Sequence, residues 1–251
     1  MKRYTNAIVR PPAESFANGV TNSNLGTPDI AKALIQHKEY CQALQTCGLK
    51  VHILKPDLRF PDSCFVEDTA IITENLAIIT KPGTLSRLEE TKGISDYLSR
   101  IMKTTHITDG NLDGGDIMRV NNHFYIGISD RTNINGATQL FKILDKEGFT
   151  SSFITVKNIL HLKTGITHLN DSHFVATKEF NHVIENGKII TTIKDENYAA
   201  NCLFINDIVI IPKEKPNLKS KLKKMKYKII EVRMSEFQKM DGGLTCLSLI
   251  Y

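Results

Sequence analysis

The chain has 251 residues, with 32 Lys or Arg against 27 Asp or Glu, for a formal charge of +5 at pH 7. Apolar residues make up 41% and charged residues 24%, which excludes a collagen, a disordered tail and a disulfide scaffold. The longest apolar runs hold four residues, LAII at 76–79 and IVII at 208–211, against about 20 for a membrane span, so neither a spanning segment nor a membrane partner is expected.

The opening MKRYTNAIVRPP is basic, with no apolar stretch before its prolines. No signal peptide is read there, and a cytoplasmic location is expected. Within it, YTNAIVR (4–10) reads as a strand without a mate. Behind Pro28-Asp29, the residues Ile30, Ala33, Leu34, Cys41 and Leu44 recur at helical spacing. FVEDTAIIT-EN-LAIIT (65–80) is a polar cluster, a strand, a two-residue polar turn and a second strand. Ile94, Tyr97, Leu98 and Ile101 mark the next helix. The plan returns in LDGGDIMRV-NN-HFYIGIS (112–129), followed by a helical stripe of Ala137, Leu140, Phe141 and Leu144. It returns again in HLKTGITHL-ND-SHFVAT (161–177), but 179–198 carries no clear helical stripe. A fourth copy, AANCLFI-ND-IVIIP (199–212), leads to KSKLKKMKYK (219–228). There Leu218, Leu222 and Met225 would face inward and the lysines water. No arginine interleaves those lysines, so no nucleic-acid partner is expected. The last copy, DGGLTCLSLIY (241–251), carries only its first strand.

Asn and Asp tolerate the left-handed backbone of tight hairpins, so the EN, NN, ND and ND turns fit antiparallel pairs. Polar clusters recur about every 40–48 residues, with a helix in most intervals. The fold class read from this is α/β: a five-bladed α/β-propeller with pseudo-fivefold ββαβ-type repeats, closed by pairing of the N- and C-terminal strands. An open α/β sheet is the weaker alternative, because two-residue turns make hairpins and not parallel crossovers. No Pro/Gly/Ser-rich linker divides the chain, so 1–251 is expected to form a single domain.

In such a ring, the residues opening each repeat converge at one end of the central channel: Glu67-Asp68, Asp113, His161, Asn201 and Cys246. Taken singly, each has a plain structural reading. A lone Cys is usually a small buried hydrophobe, and Asp and Gly in LDGGD often mean only a turn. Their shared phase favours a site. The five cysteines form no CxxC pair, so reduced thiols are expected. A thiolate at Cys246, activated by His161 or by a cationic substrate, is a nucleophile. Several carboxylates in one pocket select a cation, and a guanidinium matches them best through paired hydrogen bonds. Attack on its carbon would give a tetrahedral and then a thiouronium intermediate. His161 would protonate the departing nitrogen and then assist water, with Asp113 holding the imidazole. The product would be a ureido compound and an amine. No HExxH-like pattern occurs, and no metal or cofactor is called for.

The stretches FPDSCFVED (60–68), LDGGD (112–116), FYIGIS-DRTN (124–133), LHLKTG (160–165), AANCLF (199–204) and DGGLTCLSL (241–249) resemble the dimethylarginine dimethylaminohydrolase family of guanidino-modifying (pentein) enzymes. They span nearly the whole chain in that family's order. The resemblance implies the same five-bladed fold and hydrolysis of Nω-methylated arginine to citrulline and a methylamine. It implies Cys246 as nucleophile, His161 as acid and base, and Asp113 as the group orienting that His. It places Asp62, Phe65, Glu67 and Asp68 along the substrate's alkyl chain, amino group and guanidinium. Arg87 and Arg131 would clamp the substrate carboxylate, and main-chain carbonyls at Val20 and Met240 would lie near its α-amine. Asp113 is shorter than the Glu of some relatives. An arginine deiminase- or citrulline-hydrolase-like enzyme of the same fold is the alternative, and a ribosome-associated, non-catalytic member is the remote one. The expected partner is a small guanidino amino acid, and the chain is expected to be a monomer or a homodimer.

Overall fold

The computed structural model describes residues 3–251, so the basic start read at Met1-Lys2 lies outside the described residues. The first strand, β1 (Asn6–Val9), leads through α1 (Ile30–Thr46) to β2 (Lys50–Ile53), which lies parallel to it. Asp29 starts α1 by accepting a hydrogen bond from the Lys32 N–H at 3.1 Å.

The second blade is a hairpin of β3 (Ala70–Ile72) and β4 (Leu76–Ile79), then α2 (Glu90–Leu98) and the parallel strand β5 (Lys103–His106). The third repeats this with β6 (Ile117–Val120), β7 (His123–Ile128), α3 (Ile134–Lys146) and β8 (Thr150–Thr155). The fourth opens with the single turn α4 (Leu162–Gly165) before β9 (Ile166–His168) and β10 (His173–Ala176). It crosses to β11 (Lys188–Thr191) without a long helix, as the unpatterned 179–198 segment implied. The fifth comprises β12 (Leu203–Ile205), β13 (Ile208–Pro212), α5 (Pro216–Lys224) and β14 (Lys228–Val232). After the short α6 (Ser235–Gln238), β15 (Leu249–Ile250) pairs antiparallel with β1, Ala7 facing Ile250 and Ile8 facing Leu249.

Five three-stranded sheets result, each with one antiparallel and one parallel pair, and the two chain ends complete the first. This is the five-bladed α/β-propeller. The hairpins turn on Asn121, Asp171, Asn206 and Asp207, whose φ values of 55°, 48°, 47° and 71° are left-handed. Each helix buries a stripe on its own sheet, as Ala137, Leu140 and Leu144 of α3 do.

Some residues of the helical stripes are less buried than their spacing predicts. Leu34, Phe141, Ile101 and Met225 are 38–48% exposed. Ile101 and Met225 fall beyond the last helical turn, and α1 buries Ala33, His37, Tyr40, Cys41 and Leu44 while Leu34 faces away from that stripe. The polar clusters that open the repeats, whose conformation the sequence left open, precede the strands. Val66–Thr69, Gly114–Asp116, Leu162–Gly165, Lys194–Ala200 and Thr245–Leu247 are short helical turns before the strands. Turns of neighbouring blades touch at the channel: a Cβ on Gly114 would sit 2.0 Å from the Glu67 carbonyl oxygen. No helix among the described residues is long and apolar enough to cross a membrane.

Candidate active site

One cavity at the end of the channel is lined by Val20, Asp62, Phe65, Asp68, Arg87, Arg131, His161, Met240 and Cys246. The ring thus gathers residues from all along the chain. Asp113 and Glu67 do not line this cavity and stand behind it. Of the five cysteines, Cys246 alone is partly exposed; the other four are buried. Burial pushes the Cys41 and Cys47 thiols up to about 11 and Cys202 up to about 12, which leaves them unreactive at neutral pH.

His161 precedes the α4 turn, and its Nε2 lies 3.0 Å from Asp113 Oδ2 and 4.0 Å from Asp68 Oδ1. Asp113 is fully buried. Its Oδ1 accepts the Gly83 N–H at 2.8 Å, and its own N–H donates to Thr132 Oγ1 at 3.1 Å. Asp68 accepts the Gly115 N–H on Oδ1 at 2.9 Å and Arg87 on Oδ2 at 2.7 Å. Gly115 must lack a Cβ, which would fall 2.6 Å from His161 Nδ1. Asp116 fixes the same loop, accepting the Leu162 N–H at 2.9 Å and the Ser129 hydroxyl at 2.6 Å.

Burial alone would lower the His161 pKa, but the Asp68 charge and the Asp113 hydrogen bond lift it to about 9. Burial alone would raise Asp68, yet the His161 and Arg87 charges bring it down to about 2. The imidazole is therefore protonated at neutral pH and the carboxylate ionised. Cys246 behaves in the opposite way. Burial first, then the Glu67 and Asp68 charges, drive its thiol far above the usual range, with the Gly243 N–H at 3.3 Å and Lys163 opposing weakly. The resting sulfur is neutral.

Below the thiol a polar brace joins four blades. Thr245 Oγ1 donates to Glu67 Oε2 at 2.7 Å, and Lys163 Nζ donates to Glu67 Oε1. Asn201 Oδ1 accepts the Thr245 N–H at 2.9 Å, and its Nδ2 donates to Thr245 Oγ1 and the Lys163 carbonyl, both at 3.0 Å. Arg87 is buried between Asp68 and Glu90, and its Nη2 donates to the Phe65 carbonyl at 3.0 Å. Arg131 is more open; its Nη1 donates to Thr84 Oγ1 and lies 3.9 Å from Asp113 Oδ2. The Val20 N–H donates to Asp62 Oδ2 at 3.0 Å, which pins the loop over the cavity.

Lys163, Thr245, Asp116 and Glu90 were not singled out from the sequence. The first three adjoin residues that were, in HLK, LTC and LDGGD. Glu90 lies three residues beyond Arg87, a helical ion-pair spacing. Asp68, Asp113 and His161 offer three donor atoms within 4.8 Å of one another, but the imidazolium state that this pair of acids favours competes with any cation there.

The raised His161 pKa makes a prediction for stability. Its contribution is complete below the ordinary value of 6.5 and is lost as pH rises through about 9. The stability difference between the wild type and His161→Gln should therefore shrink over that window by about 3 kcal/mol, read from urea unfolding at several pH values. A difference independent of pH would contradict the shift.

The family model described as eukaryotic N,N dimethylarginine dimethylhydrolase matches residues 16–248. The N(G),N(G)-dimethylarginine dimethylaminohydrolase of Pseudomonas aeruginosa is 44% identical, over 98% of this chain and 99% of that one. A crystal structure of the Pseudomonas aeruginosa enzyme, a cysteine-to-serine mutant complexed with citrulline, superposes with a TM-score of 0.97 at 42% identity and full coverage of both chains. A crystal structure of a dimethylarginine dimethylaminohydrolase, a histidine-to-glycine variant as its adduct with S-methyl-L-thiocitrulline, superposes with a TM-score of 0.96 at 43% identity, covering 99% of this chain and 100% of that one.

Proposed function

This chain belongs to the dimethylarginine dimethylaminohydrolase family, and from that premise we propose how its residues hydrolyse dimethylarginine to citrulline and dimethylamine. The observation that carries the reading is the pairing, in one cavity, of a thiol kept neutral by burial and by neighbouring carboxylates with an imidazole kept charged by carboxylates. A guanidinium entering beside Asp68 offsets the negative field that holds the proton on Cys246. The substrate itself thereby favours the thiolate, the thiol proton passing to water because His161 is already charged, and the nucleophile forms only when there is something to attack.

The sulfur adds to the guanidinium carbon, making a C–S bond and a tetrahedral centre. The C–N bond to the dimethylated nitrogen then breaks, with the proton of the His161 imidazolium going to that nitrogen, so that neutral amine leaves. The thiouronium remains on Cys246. Neutral His161 takes a proton from water as the oxygen attacks the same carbon, and the C–S bond breaks to release citrulline and the thiol. Asp113 orients the imidazole and supports its charged form throughout. Arg131 and Arg87 meet the substrate carboxylate, with Arg87 also holding Asp68 ionised. Asp62, Phe65 and the main chain at Val20 and Met240 line the alkyl and α-amino portion. Glu67 acts from behind, through its field on the sulfur and its hold on Thr245. Monomethylarginine fits the same scheme with methylamine as the leaving group.

The test is a parallel assay of dimethylarginine, monomethylarginine, arginine and citrulline, following ureido product, amine and ammonia. The methylated substrates should be preferred over arginine by about 10–200-fold in kcat/KM, as a methyl pocket allows. Ammonia released from arginine as the favoured reaction would overturn the substrate assignment.

A further inference from the structure

Arg10, the residue after β1, is 5% exposed, yet its Nε has no hydrogen-bond partner and its side chain forms no ion pair among the described residues. A buried guanidinium nitrogen without a partner is costly. The carboxylates whose charges reach it are already engaged. Asp57 holds both prongs of Arg59, at 2.9 and 2.8 Å, and Glu90 holds Arg87 at 2.9 Å. Arg10 nevertheless borders an open pocket between the end of β2 and α2, apart from the Cys246 cavity. Lys55 and Arg100, both exposed, line it with the Tyr97 ring and two acids, the exposed Asp96 and Asp57, whose carboxylate is held by Arg59. The helix wall is shaped for the guanidinium. Gly93, inside α2, would carry a Cβ 3.1 Å from Arg10 Nη2, and a glycine there forgoes the helix propensity of an alanine.

We propose that this pocket is an oxyanion-binding site, anchored by Arg10 and flanked by Lys55 and Arg100, that takes a small phosphate or carboxylate. An oxyanion presents two acceptors to the guanidinium fork, the geometry Arg10 lacks within the chain. Asp57 is already neutralised by Arg59, and Asp96 limits the site to small anions that leave this acid in water. The site needs no part of the hydrolytic cavity, so its test is independent of turnover.

The experiment is calorimetric titration of the purified full-length protein with inorganic phosphate and, separately, with succinate. One-to-one saturable binding of either anion is expected, and the arm that saturates identifies the source. Arg10→Met should weaken that binding by about tenfold or more, as loss of a charge-assisted contact implies. Gly93→Leu, on an exposed helix face, leaves Arg10 intact but covers it, and should weaken binding as well; this variant decides the matter if Arg10→Met does not fold. Absence of saturable binding in both arms would overturn the proposal. So would wild-type affinity in Arg10→Met and Gly93→Leu, or binding lost instead in Arg131→Gln, which would assign the anion to the substrate cavity.

Discussion

Cys246→Ser is expected to lose citrulline formation by about 10⁴-fold or more while folding as the wild type does. The sulfur occupies a small, defined place. It accepts the Gly243 N–H at 3.3 Å and rests on the Thr245–Glu67–Asn201 brace. A hydroxyl fits that space and can accept the same N–H, so the packing has little reason to change. The chemistry does change. The field of Glu67 and Asp68 opposes an anion at this position, and an alkoxide is far harder to form than a thiolate. A guanidinium can tip a thiol but not a serine hydroxyl. Circular-dichroism melting beside a citrulline assay separates the two effects. Turnover within tenfold of wild type in a folded Cys246→Ser protein would remove Cys246 from the reaction.

The second large effect is expected at His161. With the imidazole removed in His161→Gly, loss of the proton donor should cost about 10²–10⁴-fold on dimethylarginine. The size of the loss should depend on the leaving group. S-methylthiocitrulline expels a thiol, which departs as an anion without needing the proton, so its first step should suffer much less. Equal losses on both substrates would mean that His161 does not deliver a proton to the leaving nitrogen. Added imidazole should restore part of the dimethylarginine rate, since the vacated space is bounded by Asp113 and Asp68, which favour a cation there.

Much of this site could be read in the chain because the fold repeats. The hairpins declared themselves through strand pairs around EN, NN and ND turns, and the mate for β1 was named from the unpaired LSLIY. Phase across the repeats then brought Asp68, Asp113, His161, Asn201 and Cys246 toward one end of the channel. What could not be read is the division of labour among them. Asn201 and Glu67 look like site residues in sequence but brace Thr245 and Lys163 in space. That distinction depends on short helical turns in place of strand starts, and such turns arise from contacts between blades, as at Gly114 against Glu67. Buried ion pairs were hidden for the same reason. Arg87 reads as a surface arginine until the fold encloses it between Asp68 and Glu90.

The helix faces teach a related lesson. Leu34 and Phe141 fit an apolar stripe, yet both are partly in water. Phe141 covers Phe153 of β8 at a ring distance of 5.9 Å instead of entering the core. Periodicity finds the helix, and packing against the neighbouring strands decides which residues of the stripe are buried.

The account turns on a covalent bond to one sulfur in the course of turnover. Acid quenching of His161→Gly during reaction with S-methylthiocitrulline, followed by digestion and peptide mass spectrometry, tests it most directly. An added mass equal to the substrate less methanethiol is expected on the peptide containing Cys246. An adduct on another residue, or steady turnover with every peptide unmodified, would contradict it.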